Sequence, residues 1–224
     1  MKQRNIKPDK ISQEAFNMTA PMLPCVCPPS DLECEKSLGS ILAATHITDT
    51  LIKQNCVTHK RYRHLLLIGM LKGENVFTYP PYTPELAAEL IDHLRDIAPH
   101  VIIDCGSHIA NDILSAVALM EADSVLRLVN CDLKSISYLS SQLPLLKDNK
   151  WDADKQCKVA SNLKPHQASE HIEQVLGDVA FKIPHSDELE SQALAGDLFR
   201  DLALGDSRGF RREIGKISQE VFGV

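Results

Sequence analysis

A chain of 224 residues with 44% apolar content has enough aliphatic material for a substantial core in one domain or in two small ones. Its net charge of -6 argues against a general nucleic-acid surface, and no apolar run approaches the roughly 18 residues of a membrane span. The basic start, Met1-Lys2-Gln3-Arg4-Asn5, lacks the apolar segment of a signal peptide, and seven cysteines, mostly in apolar settings, fit reduced thiols in a cytoplasm.

Residues 1–20 are polar and have no clear period, so they read as an N-terminal tail before a single domain over 21–224. Residues 21–30 carry four prolines, each lacking a ladder donor, which predicts an edge or extended loop. Leu38, Ile41 and Leu42 fall at helical spacing, and 47–52 predicts a second short helix. The basic cluster His59-Lys60-Arg61-Tyr62-Arg63-His64 reads as the solvated approach to a strand over 65–70. Thr83 and Pro84 supply an N-cap and a first helical position. Leu86, Leu90, Ile91, Leu94 and Ile97 then make one apolar stripe, predicting an amphipathic helix over 84–97. Val101-Ile102-Ile103 predicts a buried parallel strand that delivers Asp104 to its C-terminal end, just before Cys105-Gly106.

Ile113, Leu114, Val117, Ala118 and Met120 mark the next helix, and a strand follows over 124–130. Asp132 opens a helix that turns Ile136, Leu139, Leu143 and Leu146 inward, with Pro144 expected to bend it or start a new turn. A short strand from Cys157 ends at Asn162, a helix over 168–176 has Gly177 at its C-cap, and a strand over 179–183 is stopped by Pro184. Leu189, Ala193 and Leu194 mark another helix; Phe210, Ile214, Ile217, Val221 and Phe222 mark the last. Strands alternating with helices imply an α/β fold, a three-layer helix–sheet–helix arrangement with a mostly parallel sheet.

In such a sheet the residues just past the strand ends line one crevice. Here they are Asp104, Cys105, Gly106, Asn130, Cys131, Asp132, Asn162 and Pro184, a polar and acidic set suited to a hydrated divalent cation and a purine-like ring. Asp104 could hold magnesium through water, or simply cap the next turn. Asn162 could both donate to and accept from a base edge.

The order of segments carries a resemblance. A strand ends in Asp104-Cys105-Gly106; Ala118-Leu119-Met120-Glu121-Ala122-Asp123 leads into the next strand; Asp132-Leu133-Lys134-Ser135 follows it. A later strand closes on Asn162, then come Ile183-Pro184-His185-Ser186-Asp187 and Leu194-Ala195-Gly196. Over roughly residues 35–224 this resembles the MinD/ParA group of deviant-Walker P-loop ATPases, including its pilus-localising branch. The resemblance implies that Asp104 is the aspartate organising magnesium, and that Cys105 and Gly106 begin the switch sensing the γ-phosphate. It also implies that Asn162 reads adenine and Pro184 lies beside the base. The implied cofactor is ATP or ADP with magnesium. The implied partners are a second copy in a face-to-face homodimer and a protein recruited to a cellular location, such as a pilus or secretion apparatus or DNA-partition machinery.

One departure bears on activity. No Gly-Lys-Ser/Thr follows an N-terminal strand, and the sole Gly-Lys pair, Gly215-Lys216, precedes Ile217. Without that loop, no ring of backbone N–H groups and lysine holds the β- and γ-phosphates. The expectation is therefore a P-loop NTPase-like fold without the P-loop, with weak nucleotide binding and no useful hydrolysis by this chain alone. In the family the P-loop strand lies between those read here at 101–104 and 124–130. These two are expected to pair directly, to admit another segment, or to be completed by a partner. A degenerate protein, and part of an ATPase whose P-loop is missing or supplied in trans, both stay open.

Three further readings come from single segments. Cys25, Cys27 and Cys34, with Cys56 and His59, would make a zinc-stabilised interaction module, although the paired C-x₂-C spacing of structural zinc is absent. Cys105 could be a nucleophile near His108, but a small residue after a strand needs no such role. Arg208, Arg211, Arg212 and Lys216 flank the last apolar stripe as in a membrane-seeking helix; Glu213 and Glu220 favour docking on the sheet instead. Neither membrane association nor sequence-specific nucleic-acid binding is expected.

Overall fold

The alternation of strands and helices carries into the computed structural model, which describes residues 13–17, 23–26, 36–75, 77–107, 112–146, 151–165, 167 and 170–223. The chain divides into two compact units, 1–121 and 122–224.

The N-terminal unit contains β1 (Gln13–Asn17), α1 (Leu23–Val26), α2 (Leu38–Leu42), α3 (Asp49–Asn55), β2 (Val57–Thr58), β3 (Leu66–Gly69), α4 (Pro84–Ile97), β4 (His100–Asp104) and α5 (Ile113–Glu121). Its sheet has the order β2-β3-β1-β4; β1 is parallel to both neighbours and β2 is antiparallel to β3. The register sets Asn17 opposite Gly69 on one side and Asp104 on the other. Helix α4 forms as its cap and stripe predict. Thr83 is extended and accepts the Leu86 N–H at 3.3 Å, Pro84 takes the first position, and Ala87, Leu90, Ile91 and Leu94 are buried. They pack with Leu38, Ile41, Ile52, Ile68 and Leu114 in one apolar cluster. Gly39 admits the Tyr79 ring, which a Cβ at that position would strike.

Three expectations are corrected in this unit. The segment read as a tail contains β1, because two parallel ladders hold it, whereas its own sequence, Gln13-Glu14-Ala15-Phe16-Asn17, has a single large apolar residue. It runs between β3 and β4. The proline-rich stretch read as an extended loop forms one helical turn, α1, with Pro24 in its first positions, where no intrahelical N–H is required. Among the described residues, the strand read as buried lies at the edge of its sheet, and Ile102 is 38% exposed.

The C-terminal unit contains β5 (Val125–Asn130), α6 (Leu133–Leu146), β6 (Gln156–Leu163), α7 (Glu170–Leu176), β7 (Phe181–Pro184), α8 (Asp187–Ala195) and α9 (Ser207–Phe222). Its three strands are all parallel, in the order β5-β6-β7. Successive residues of β6 point to opposite faces. Ala160 packs with Ile136 and Leu139 of α6 and Ile172 and Leu176 of α7, while Val159 packs with Ile183 and with Ile217 of α9. Helices therefore cover both faces of this sheet. The α9 stripe docks on the sheet, and Pro144 is accommodated inside the last turn of α6. No helix among the described residues is long and apolar enough to cross a membrane.

Candidate functional site

In the N-terminal unit, Asp104 is exposed at the end of β4, Cys105 is half-buried against the apolar cluster, and Gly106 begins the turn. That turn is anchored from behind. The Gly106 N–H donates to Ser115 Oγ at 3.0 Å, and the Ser115 hydroxyl donates to Asp112 Oδ2 at 2.5 Å. Asp112 Oδ1 accepts the Ser115 N–H at 3.2 Å, so one buried carboxylate caps α5 and steadies the group that holds Gly106. Burial, and then the Asp112 charge, push the Tyr82 phenol up; the Leu114 N–H works against them. Asp112 escaped the reading as a functional residue, although an Asp directly before an apolar helical run is a cap signal.

Asn162 and Pro184 belong to the C-terminal unit and line one cavity of about 270 Å³. Its walls come from the ends of β6 and β7 and from Leu189, Ala193 and Phe210. Asn162 has φ 56°, a left-handed conformation that asparagine tolerates better than most residues, at an irregularity where the β6–β7 register shifts between Ala160 and Leu163. The His185 N–H then donates to the Leu163 carbonyl at 2.8 Å. His185 Nδ1 lies 2.6 Å from Asn162 Oδ1, and its Nε2 lies 2.9 Å from Asp187 Oδ1 and 3.5 Å from Glu190 Oε2. Gly209 lets α9 approach Pro184: a Cβ there would sit 3.0 Å from the proline Cγ.

The cavity wall is braced between α8 and α9. Ser186 caps α8 and meets Ser207 Oγ at 2.9 Å. Glu188 accepts the Ala203 and Leu204 N–H groups at 2.8 and 2.9 Å, and also the Ser207 hydroxyl. Partial burial pulls the Glu188 carboxyl upward, but these three donors outweigh it and hold it below the ordinary glutamate value. On α9, burial likewise opposes ionisation of Glu213, and the bonds from Lys216 and the Lys182 N–H prevail.

The remaining crevice residues have local duties. Asp132 accepts the N–H and hydroxyl of Ser135, both at 2.8 Å, as the cap of α6. Burial first, then Asp132, push the Cys131 thiol up against the pull of Lys182, which disfavours a reactive thiolate there. For the zinc reading, Cys56 is buried, and His59 Nδ1 accepts the Tyr62 N–H at 3.2 Å. Cys27, Cys34, His108 and the Cys25 side chain lie outside the described residues. Among the described residues, the group of three metal-ligating side chains within mutual reach is instead His185, Asp187 and Glu190.

No family model matches the sequence, and no curated protein does. Solved structures do match. The ParA family ATPase of Chlorobium tepidum superposes with a TM-score of 0.74 at 17% identity, covering 94% of this chain and 85% of that one. A chain of the MinC:MinD cell division protein complex of Aquifex aeolicus gives 0.72 at 13% identity, covering 96% and 84%. A Cyanothece McdA variant in complex with ATP gives 0.53 at 13% identity, covering 96% and 97%.

The fold is that of the ParA and MinD ATPases.

In the N-terminal unit α1 and then α2 follow β1 in the chain. Lys36-Ser37 stands immediately before α2, where the G-x-x-x-x-G-K-S/T motif would place its Lys-Ser/Thr pair. No glycine occurs between residues 18 and 36, so the pair lacks the glycine that would mark it in the sequence. Ser37 is 1% exposed; its hydroxyl accepts the Gly39 N–H at 3.1 Å and donates to Glu74 Oε2 at 2.6 Å. The hydroxyl is thus engaged as a helix cap, and the neighbouring carboxylate is an acceptor that disfavours a phosphate.

Proposed function

We propose that the chain is a ParA/MinD-type positioning protein that reads the base of ATP or ADP at Asn162 and acts by recruiting a protein partner, with no effective hydrolytic cycle of its own. The observation carrying this reading is the cavity that joins Asn162 and Pro184 at the ends of two parallel strands, where α/β sheets take ligands. Its volume of about 270 Å³ suits a flat heteroaromatic ring. With Oδ1 of Asn162 beside His185, the amide NH₂ is the group that would donate to a ring nitrogen, while Pro184 and Phe210 supply apolar contact.

In the N-terminal unit, Asp104, with Cys105 and Gly106, would by the same reading serve magnesium and phosphate. Two features make this binding weak and turnover ineffective: the segment before Lys36 has no glycines, and Ser37 is engaged with Glu74. The nucleotide would favour a homodimer, and the partner would be a component of a pilus or secretion apparatus or of DNA-partition machinery. The similarity to a chain of the MinC:MinD complex supports a protein as partner.

Calorimetric titration of ATP with magnesium tests the reading. Asn162→Gly suits the positive φ while removing the amide, and it is expected to weaken binding about tenfold, the equivalent of about 1.4 kcal/mol. Equal affinity in both proteins would overturn the assignment of Asn162.

A further inference from the structure

The three side chains around His185 have a geometry that the nucleotide reading leaves unused. An amide oxygen only accepts, so the 2.6 Å approach of His185 Nδ1 to Asn162 Oδ1 places the imidazole hydrogen on Nδ1. Nε2 then turns a lone pair toward two more acceptors, Asp187 Oδ1 at 2.9 Å and Glu190 Oε2 at 3.5 Å. Three acceptors facing one another form a set that a bound cation would satisfy.

We propose that His185, Asp187 and Glu190 bind a divalent transition-metal ion of the zinc type.

The spacing fits such an ion. Ligands at about 2.0–2.1 Å from a tetrahedral zinc lie roughly 3.3 Å from one another. The two separations from Nε2, 2.9 and 3.5 Å, bracket that value, and the chosen ligand atoms of all three residues lie within 4.8 Å. The ligand set is one histidine and two carboxylates, with a fourth position left for water. The support behind the histidine is the kind metal sites use: a ligating imidazole donates its other N–H to an oxygen that fixes tautomer and ring orientation, and Asn162 Oδ1 supplies it. His185 is well covered, with 15% of its side chain exposed, while Asp187 and Glu190 are open at 85% and 62%. An ion could therefore enter from solvent onto a pre-oriented nitrogen. The positive end of α8 opposes a cation here, but its first turn carries Asp187, Glu188 and Glu190 against a dipole charge of about one half.

The test is a titration of the reduced full chain, without nucleotide, using cobalt(II) chloride and then zinc chloride. The site shares the cavity wall with Asn162, so the titration is read on metal alone, and a failed nucleotide titration would not decide its outcome. Cobalt is expected to give one equivalent of a visible spectrum of nitrogen and oxygen ligation, without thiolate charge-transfer absorption, and zinc is expected to displace it. His185→Ala should weaken binding at least tenfold. Glu190→Gln and Asp187→Asn, at exposed positions that leave the fold intact, should each do the same if His185→Ala fails to fold. Identical titrations of wild type and these exposed variants would overturn the proposal. A thiolate-type cobalt spectrum unchanged by them would also overturn it, placing the metal on cysteines.

Discussion

Replacing Leu94 by alanine is expected to destabilise the N-terminal unit by about 2–5 kcal/mol, measured by urea unfolding. Leu94 is completely buried on the inner face of α4, within the cluster that also holds Leu38, Ile52, Ile68 and Leu114. Truncation would forfeit the transfer energy of the side chain and leave a cavity that neighbours from other elements can fill only in part. Leu86 lies on the same stripe but is only partly buried, so Leu86→Ala should cost distinctly less. Equal losses at the two positions would mean that α4 is not packed as described.

Asp112→Ala is expected to cost about 2–4 kcal/mol, combining a lost cap with buried donors left unsatisfied. The same carboxylate accepts the N–H and hydroxyl of Ser115, and Ser115 accepts the Gly106 N–H. The change should therefore also speed hydrogen exchange at Gly106, immediately after the exposed Asp104. Asp112→Asn retains an oxygen at the cap and should lose less on both counts. A stable Asp112→Ala protein with unchanged exchange at Gly106 would remove the link between this cap and the turn.

The residues that reveal themselves in the sequence are those whose structure is decided locally. Thr83-Pro84 and the stripe from Leu86 to Ile97 define α4 because cap, first position and period all lie within fifteen consecutive residues. Asn162 and Pro184 were legible as strand-end residues, since a parallel strand puts its C-terminal neighbours where ligands bind. Features decided by distant partners were not legible. β1 owes its form to ladders with β3 and β4, and its polar pattern gives no sign of either. The left-handed Asn162 depends on the shifted register between β6 and β7. The contact between Asn162 and His185 joins residues 23 apart in sequence. Lys36-Ser37 lies between these cases: its cap is local and visible, but its place after a parallel strand emerges only once β1 is recognised.

We propose that this chain keeps the base-reading part of a ParA/MinD-type nucleotide site while its phosphate-holding part no longer contributes. Parallel calorimetric titrations with adenosine and with ATP plus magnesium, on protein shown to be folded, test it most directly. Both are expected to bind, with affinities that agree within about tenfold, or about 1.4 kcal/mol. Binding of ATP stronger than adenosine by about a thousandfold would contradict it by revealing a working phosphate cradle, and no binding of either ligand would contradict it by removing the base-reading pocket.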